Sequence, residues 1–255
     1  MQPTNRMFHL HCKAEDIGKY VFLPGDPGRT ETIARHLDNP RLIARNREFT
    51  TWTGSLEGVP VSVTSTGIGG PSAAIAMEEL VQCGAHTFLR IGTCGGMQPD
   101  VPAGQLVIPT GAVRMEGTSH EYMPPAFPAV PDFGLTCALA HAAEQLHLKY
   151  ATGVVQCKDS FYGQHSPERM PIANRLTDDW HAWKAAGVLA SEMESAALFV
   201  VAAALHVRCA TVLNMIWNQE RERQYGIAPP PDLDMHAAIR AAVAAMRTVI
   251  QKDEK

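Results

Sequence analysis

Phe88-Leu89-Arg90-Ile91-Gly92-Thr93-Cys94-Gly95-Gly96 is an apolar run of strand length, with one arginine inside it, that ends in glycines. A short apolar run bounded in this way reads as a strand buried on both faces. Similar runs lie at Tyr20 to Pro24, Val61 to Thr66, Leu106 to Pro109, Val154 to Cys157, Val188 to Ala190 and Ala210 to Ile216. Helical stretches separate many of them. Ala73 to Gln82 stops at Gly84, Asp132 can cap a helix running to about His147, Ser195 to Leu205 is apolar almost throughout, and Ala237 to Ile250 is alanine-rich. This alternation predicts an α/β fold, a three-layer α/β/α sandwich around a mixed central sheet. Proline-rich Glu116 to Pro131 and the stretch Gln164 to Asn174 read as long irregular connections, of the kind that are functional or mobile, and the length of the second suits a lid.

The chain has 255 residues, 45% of them hydrophobic, which fits one sizeable domain better than two. No apolar run approaches the roughly 20 residues that span a bilayer. Met1 to Lys13 mixes Arg6, His9, His11 and Lys13 with short apolar pieces, unlike a secretory signal. Six scattered cysteines without a C-x-x-C pair read as reduced thiols, so the expected location is the cytoplasm. A net charge of −4, from 26 acidic and 22 basic residues with no basic block, argues against nucleic-acid binding, as the lack of a spanning apolar run argues against a membrane partner. Positive partners for an anionic ligand must therefore be local.

Four motifs could carry chemistry. Arg90 sits inside an apolar strand, so it either meets a carboxylate or waits for an anion, at a strand end where α/β proteins bind ligands. Leu23-Pro24-Gly25-Asp26-Pro27-Gly28-Arg29 turns from a strand into a helix carrying an arginine, a possible phosphate cradle that taken alone is only a tight turn. Ser65-Thr66-Gly67-Ile68-Gly69-Gly70-Pro71-Ser72 partly resembles a dinucleotide fingerprint but lacks its third glycine and its later acidic residue. Ser191-Glu192-Met193-Glu194-Ser195 puts two carboxylates beside a buried helix, suited either to a ribose diol or to the helix dipole. His9-x-His11-Cys12 lacks further zinc ligands at a defined spacing, and no G-x-S-x-G elbow is present.

In order, Phe8-His9-Leu10, PGDPGR at 24 to 29, REFTTW at 47 to 52, STGIGGPS at 65 to 72, FLRIGTCGG at 88 to 96, DSFYGQ at 159 to 164 and EMESA at 192 to 196 resemble the hexameric nucleoside phosphorylases, and among them the uridine-cleaving branch. The resemblance implies phosphorolysis of uridine, with deoxyuridine or thymidine also open, to uracil and a sugar 1-phosphate with inversion at C1′. Inorganic phosphate would be the co-substrate, with no organic cofactor. Its site would use Gly25, Arg29, Arg90 and Thr93, with Arg47 from a neighbouring subunit. Ribose would lie against Thr93, Glu192, Met193 and Glu194, with His9 reaching across the interface. The base would meet Cys94, Gly95, Phe161, Gln164 and Arg169. Arg90, Arg169, Gln164 and Glu194 would carry catalysis. The partner would be the chain itself, as a dimer and usually a homohexamer, with a potassium ion at Glu48, Ile68 and Ser72 in some bacterial members.

Two departures from the better-known members stand out, the spacing of Gln164 and Arg169 and the presence of Gln219 where an arginine often follows the Asn218 position. Gln164 and Arg169 are five apart, where better-known members have two, so His165 could share their role. Purine-cleaving relatives commonly place an aspartate near the end of the last core strand, and Ile216-Trp217-Asn218 has none. The rivals are a purine phosphorylase, a hydrolase on the same scaffold and a nucleoside sensor without turnover. Three matched arginines speak against the hydrolase, because water needs no anion clamp.

Overall fold

A computed structural model describes residues 6–228 and 234–255. Its first strand, β1 (Tyr20–Pro24), is wholly buried, and its alternate side chains serve opposite layers. Tyr20 and Phe22 join one apolar cluster, Val21 and Leu23 the other, as the strand's period of two requires. After it come α1 (Gly28–Ala34), β2 (Asp38–Asn46), β3 (Phe49–Leu56), β4 (Val59–Thr64), α2 (Gly70–Gln82), β5 (Thr87–Gly96) and β6 (Leu106–Met115). The chain continues through α3 (Thr118–Tyr122), α4 (Phe133–Gln145), β7 (Tyr150–Lys158), α5 (Phe161–His165), α6 (Ala173–Ala185) and β8 (Ala190–Glu192). It ends with α7 (Ser195–Ala204), β9 (Arg208–Trp217), α8 (Gln219–Tyr225) and α9 (His236–Asp253).

Among the described residues the strands form one mixed sheet in the order β2-β3-β4-β1-β5-β8-β7-β6-β9. β9 also pairs parallel to β5, so half of the sheet curls into a ring around Cys94, Val107, Val155, Leu213 and Met215. Helices α1, α4 and α9 cover one face of β1 and β5, and α2 with α7 covers the other. The three-layer α/β/α sandwich is the one that the alternation of runs predicts. No helix among the described residues is long and apolar enough to cross a membrane.

Three local expectations need correction. β2 and β3 have no place among the expected strands: Asp38–Asn46 is polar and mostly exposed, and it pairs antiparallel to β3 at the sheet's edge. The strand expected at Val188 to Ala190 begins at Ala190 and carries Ser191 and Glu192 into the sheet. The two long connections are ordered rather than open. Arg114 ties the first together by donating to the carbonyls of Ser119, Met123 and Pro124, around α3. The second runs from α5 through a 3₁₀ turn at Pro167–Arg169 into α6.

Asp132 caps α4 as expected, its Oδ1 accepting from Leu135 N at 2.8 Å. Asp132→Ala is expected to cost about 1 kcal/mol, read in a melting curve as a drop of roughly 2–4 °C with turnover unchanged.

Candidate active site

β1 and β5 end side by side, pairing Leu23 with Arg90 and Pro24 with Ile91. Beyond their ends opens a cavity of 660 Å³. Arg90 lies on its floor, only 3% exposed. Its Nε is 3.3 Å from Glu192 Oε2 and its Nη2 donates to Glu194 Oε2, while Nη1 is buried without a hydrogen-bond partner. Of the two alternatives for Arg90 the carboxylate pairing is present, with two nitrogens engaged and the third left over. Gly92 makes the room, whereas a Cβ at Gly25 would only touch the guanidinium at ordinary contact distance. A Cβ at Gly25 would stand 3.9 Å from Nη1, and one at Gly92 would stand 2.8 Å from Nη2, closer than real contacts allow.

The carboxylates are supported in turn, which is what makes their burial tolerable. Glu192 accepts from Ser195 N at 2.9 Å and Glu194 N at 3.1 Å, closing the first turn of α7. Glu194 Oε1 accepts from Gly69 N at 2.6 Å, which ties the glycine-rich 65–72 segment to the site. Burial alone would lower the pKa of Arg90, but Glu194 and then Glu192 outweigh it and hold it up. Burial pushes the Glu194 carboxyl up, Arg90 pulls it back, and Glu192 adds to the push.

The Pro24–Arg29 turn contributes differently from a helix-start cradle. Gly28 N is taken by Asp26 Oδ1, Arg29 N by Asp26 O and Thr30 N by Pro27 O. What the turn offers the cavity is the half-buried Arg29 side chain, its Nε 3.8 Å from Asp26 Oδ2. Two guanidinium groups thus face one space, whose neighbouring lining includes Thr93 and Met193.

The opposite end is aromatic. His165 lies 4.3 Å from Phe161 and stacks on Trp217 at 5.3 Å, ring centre to ring centre. Cys94 and Gly95 line the same end, with the Cys94 thiol pushed up by burial. Lys158 and Ser191 complete it. Neither they nor Trp217 stood among the expected site residues.

Other expected residues lie elsewhere. Gln164 is turned away, its Oε1 accepting from Ser191 Oγ at 2.6 Å, and it lines a second pocket of 330 Å³ that shares Lys158 and His165 with the first. Arg169 is exposed, its guanidinium 6.0 Å from the Tyr162 ring centre, because the 3₁₀ turn carries it to the surface outside the cavity lining. Gln164 thus lines the rear pocket rather than the main cavity, and Arg169 lines neither. His9 lies in a separate cavity, its Nδ1 2.7 Å from Glu79 Oε1. Arg47 is exposed, at a positive φ of 53° in the β2–β3 turn. Glu48 and Ile68 stand at the cavity's rim, and Ser72 Oγ donates to Glu48 Oε1 at 2.8 Å. Asn218 is buried outside the cavity lining: its Oδ1 caps α8 through Arg221 N, and its Nδ2 donates to the carbonyls of Gln98 and Val101, each at 2.8 Å.

The family model described as the Phosphorylase superfamily matches residues 19–250. This chain belongs to the phosphorylase superfamily. The phosphorylase is 57% identical over 250 residues to a uridine phosphorylase of Treponema pallidum, covering 98% of this chain and 96% of that relative. It is 39% identical over 249 residues to a uridine phosphorylase of Escherichia coli, covering 96% and 98%. To a guanosine phosphorylase of Halorubrum lacusprofundi it is 38% identical over 218 residues, covering 86% of each.

Proposed function

We propose that this phosphorylase cleaves uridine with inorganic phosphate, giving uracil and ribose 1-phosphate in nucleoside salvage. The observation that carries the reading is Arg90, buried with one guanidinium nitrogen unpartnered between Gly25 and the Glu192–Glu194 pair. A phosphate oxygen is the natural partner for that nitrogen, with Arg29 as the second cation and Thr93 as a hydroxyl donor. Glu192 and Glu194 retain lone pairs for the ribose hydroxyls. Phe161, His165 and Trp217 offer flat faces to the base. Catalysis then rests on holding phosphate beneath C1′ and stabilising charge as the glycosidic bond stretches, without a covalent enzyme intermediate.

The reading includes a second copy of the chain. His9 and Arg47 lie outside the cavity that they would serve, Arg47 exposed in the β2–β3 turn and His9 half-buried in a separate cavity, so a neighbouring subunit's site is where they would act, within a hexamer. Glu48, Ser72 and the Ile68 carbonyl are oxygen donors suited to a hard cation such as potassium at that interface. The cytoplasm is the fitting location, consistent with six unpaired cysteines.

The guanosine phosphorylase among the relatives makes a purine the rival substrate. Purified protein given uridine, thymidine, inosine or guanosine, each with and without phosphate, is expected to release uracil from uridine only when phosphate is present. Preferred release of guanine or hypoxanthine would overturn the pyrimidine reading, and release independent of phosphate would overturn phosphorolysis.

A further inference from the structure

We propose that Lys158, at the C-terminal end of β7, is the cation that receives the negative charge of the departing base. The proposal rests on the pyrimidine reading and deepens it at the end of the site from which Arg169 is missing.

Lys158 is 7% exposed and lines both the 660 Å³ cavity and the 330 Å³ pocket behind it. Its Nζ donates to Ser191 Oγ at 2.6 Å, and that hydroxyl gives its own hydrogen to Gln164 Oε1, also at 2.6 Å. Among the described residues the other two N–H bonds of the ammonium have no partner. A buried ammonium with two unused donors is unfavourable unless a ligand occupies them. Glu192 and Glu194 act on it, but both are bound to Arg90. Two more buried atoms on the walls of the rear pocket lack partners, His165 Nδ1 and Gln156 Oε1. The unused N–H bonds of the ammonium can donate to a carbonyl oxygen of uracil. The stacked rings of Phe161, His165 and Trp217 stand at the same end of the cavity.

As the C1′–N1 bond breaks, both its electrons stay with the base and spread over the carbonyl oxygens, while a phosphate oxygen forms the new bond to C1′. Lys158 holds that anion by charge and by hydrogen bonding. Hydrogen phosphate enters with one proton and leaves as the sugar ester without it. That proton ends on N1 of free uracil, so the sum needs no other reactant.

The groups that face Lys158 are Glu192 of β8, Glu194 beyond it, Cys157 of its own strand, Cys94 of β5 and His165 of α5. Burial lowers the pKa of Lys158 to about 8, with Glu192 the chief group holding it up. Burial and then Lys158 lower that of His165, which disfavours a second cation beside the ammonium. The ammonium is thus present at neutral pH and is lost as the pH rises past about 8.

The test is Lys158→Met, an apolar side chain of similar length, assayed with uridine and with 5-fluorouridine, whose electron-poor base leaves more readily as an anion. The variant is expected to lose about 10²–10³-fold in kcat/KM for uridine but about tenfold or less for 5-fluorouridine, with the phosphate KM unchanged. The ratio of the two substrates in one preparation does not depend on how much protein has folded. The wild-type decline in rate above about pH 8 should also vanish from the variant's profile. Equal losses for both nucleosides, or near-normal uridine cleavage, would overturn the role of Lys158. A wild-type enzyme that prefers guanosine over uridine would instead overturn the pyrimidine reading, and would do so before any variant is made.

Discussion

Arg90→Ala is expected to lower phosphate-dependent cleavage of uridine by about 10³-fold or more. Loss of one preorganised donor typically costs about 10²–10³ in rate, and here a whole guanidinium disappears from the floor of the cavity. Nη1 has no partner and would be the nitrogen that meets phosphate, while Nε and Nη2 hold Glu192 and Glu194 where the ribose would lie. The variant therefore loses an anion contact and disorders the sugar contacts together. Arg90→Lys should recover little, because an ammonium cannot serve two carboxylates and an anion in one plane. Steady-state kinetics with phosphate varied would check this. An Arg90→Ala enzyme that still turns over at near the wild-type rate would remove the assignment.

Glu192→Ala is expected to have the largest effect on stability, about 3–5 kcal/mol, or a fall of roughly 10 °C in Tm. Its two oxygens accept from Ser195 N and Glu194 N and pair with Arg90 Nε. Removing them leaves two buried amide donors without partners and a buried guanidinium with one carboxylate. Glu194→Gln should behave otherwise, because an amide oxygen can still accept from Gly69 N. The expected outcome there is a fall in kcat/KM with a smaller change in melting. Differential scanning calorimetry of the two variants beside kinetics separates the roles. A Glu192→Ala protein that melts within a degree of the wild type would refute the supporting role given to that carboxylate.

The central strands were legible because β1 and β5 are covered on both faces and must be continuously apolar. β2 was not, since an exposed edge strand has no need of an apolar run, and Asp38–Asn46 has the composition of a loop. Arg90 was visible as a charge inside such a run, and its pairing with the 192–194 carboxylates agrees with the cost of leaving it alone. Gln164 and Arg169 were harder. Their separation along the chain gives no sign that α5 turns one toward Ser191 while the next turn carries the other to the surface. Lys158 stands one residue past the apolar run Val154 to Cys157, so its burial follows from how far β7 extends, which apolar content alone does not reveal.

The position of Asn218 constrains how this enzyme could change over evolutionary time. Purine-cleaving relatives commonly place an aspartate near the end of the last core strand, the region that Ile216-Trp217-Asn218 fills here, and Asn to Asp is a small chemical step. In this fold, however, the Asn218 amide gives both its hydrogens to the carbonyls of Gln98 and Val101, and a Cβ on Gly96 would come within 2.3 Å of it. A carboxylate could still cap α8, but it would face two carbonyl oxygens with nothing to donate. Drift toward purines through this residue would first pass through a less stable protein, unless the 98–101 loop changed beforehand. The base preference is thus guarded from behind the pocket, by a side chain that need never touch the substrate.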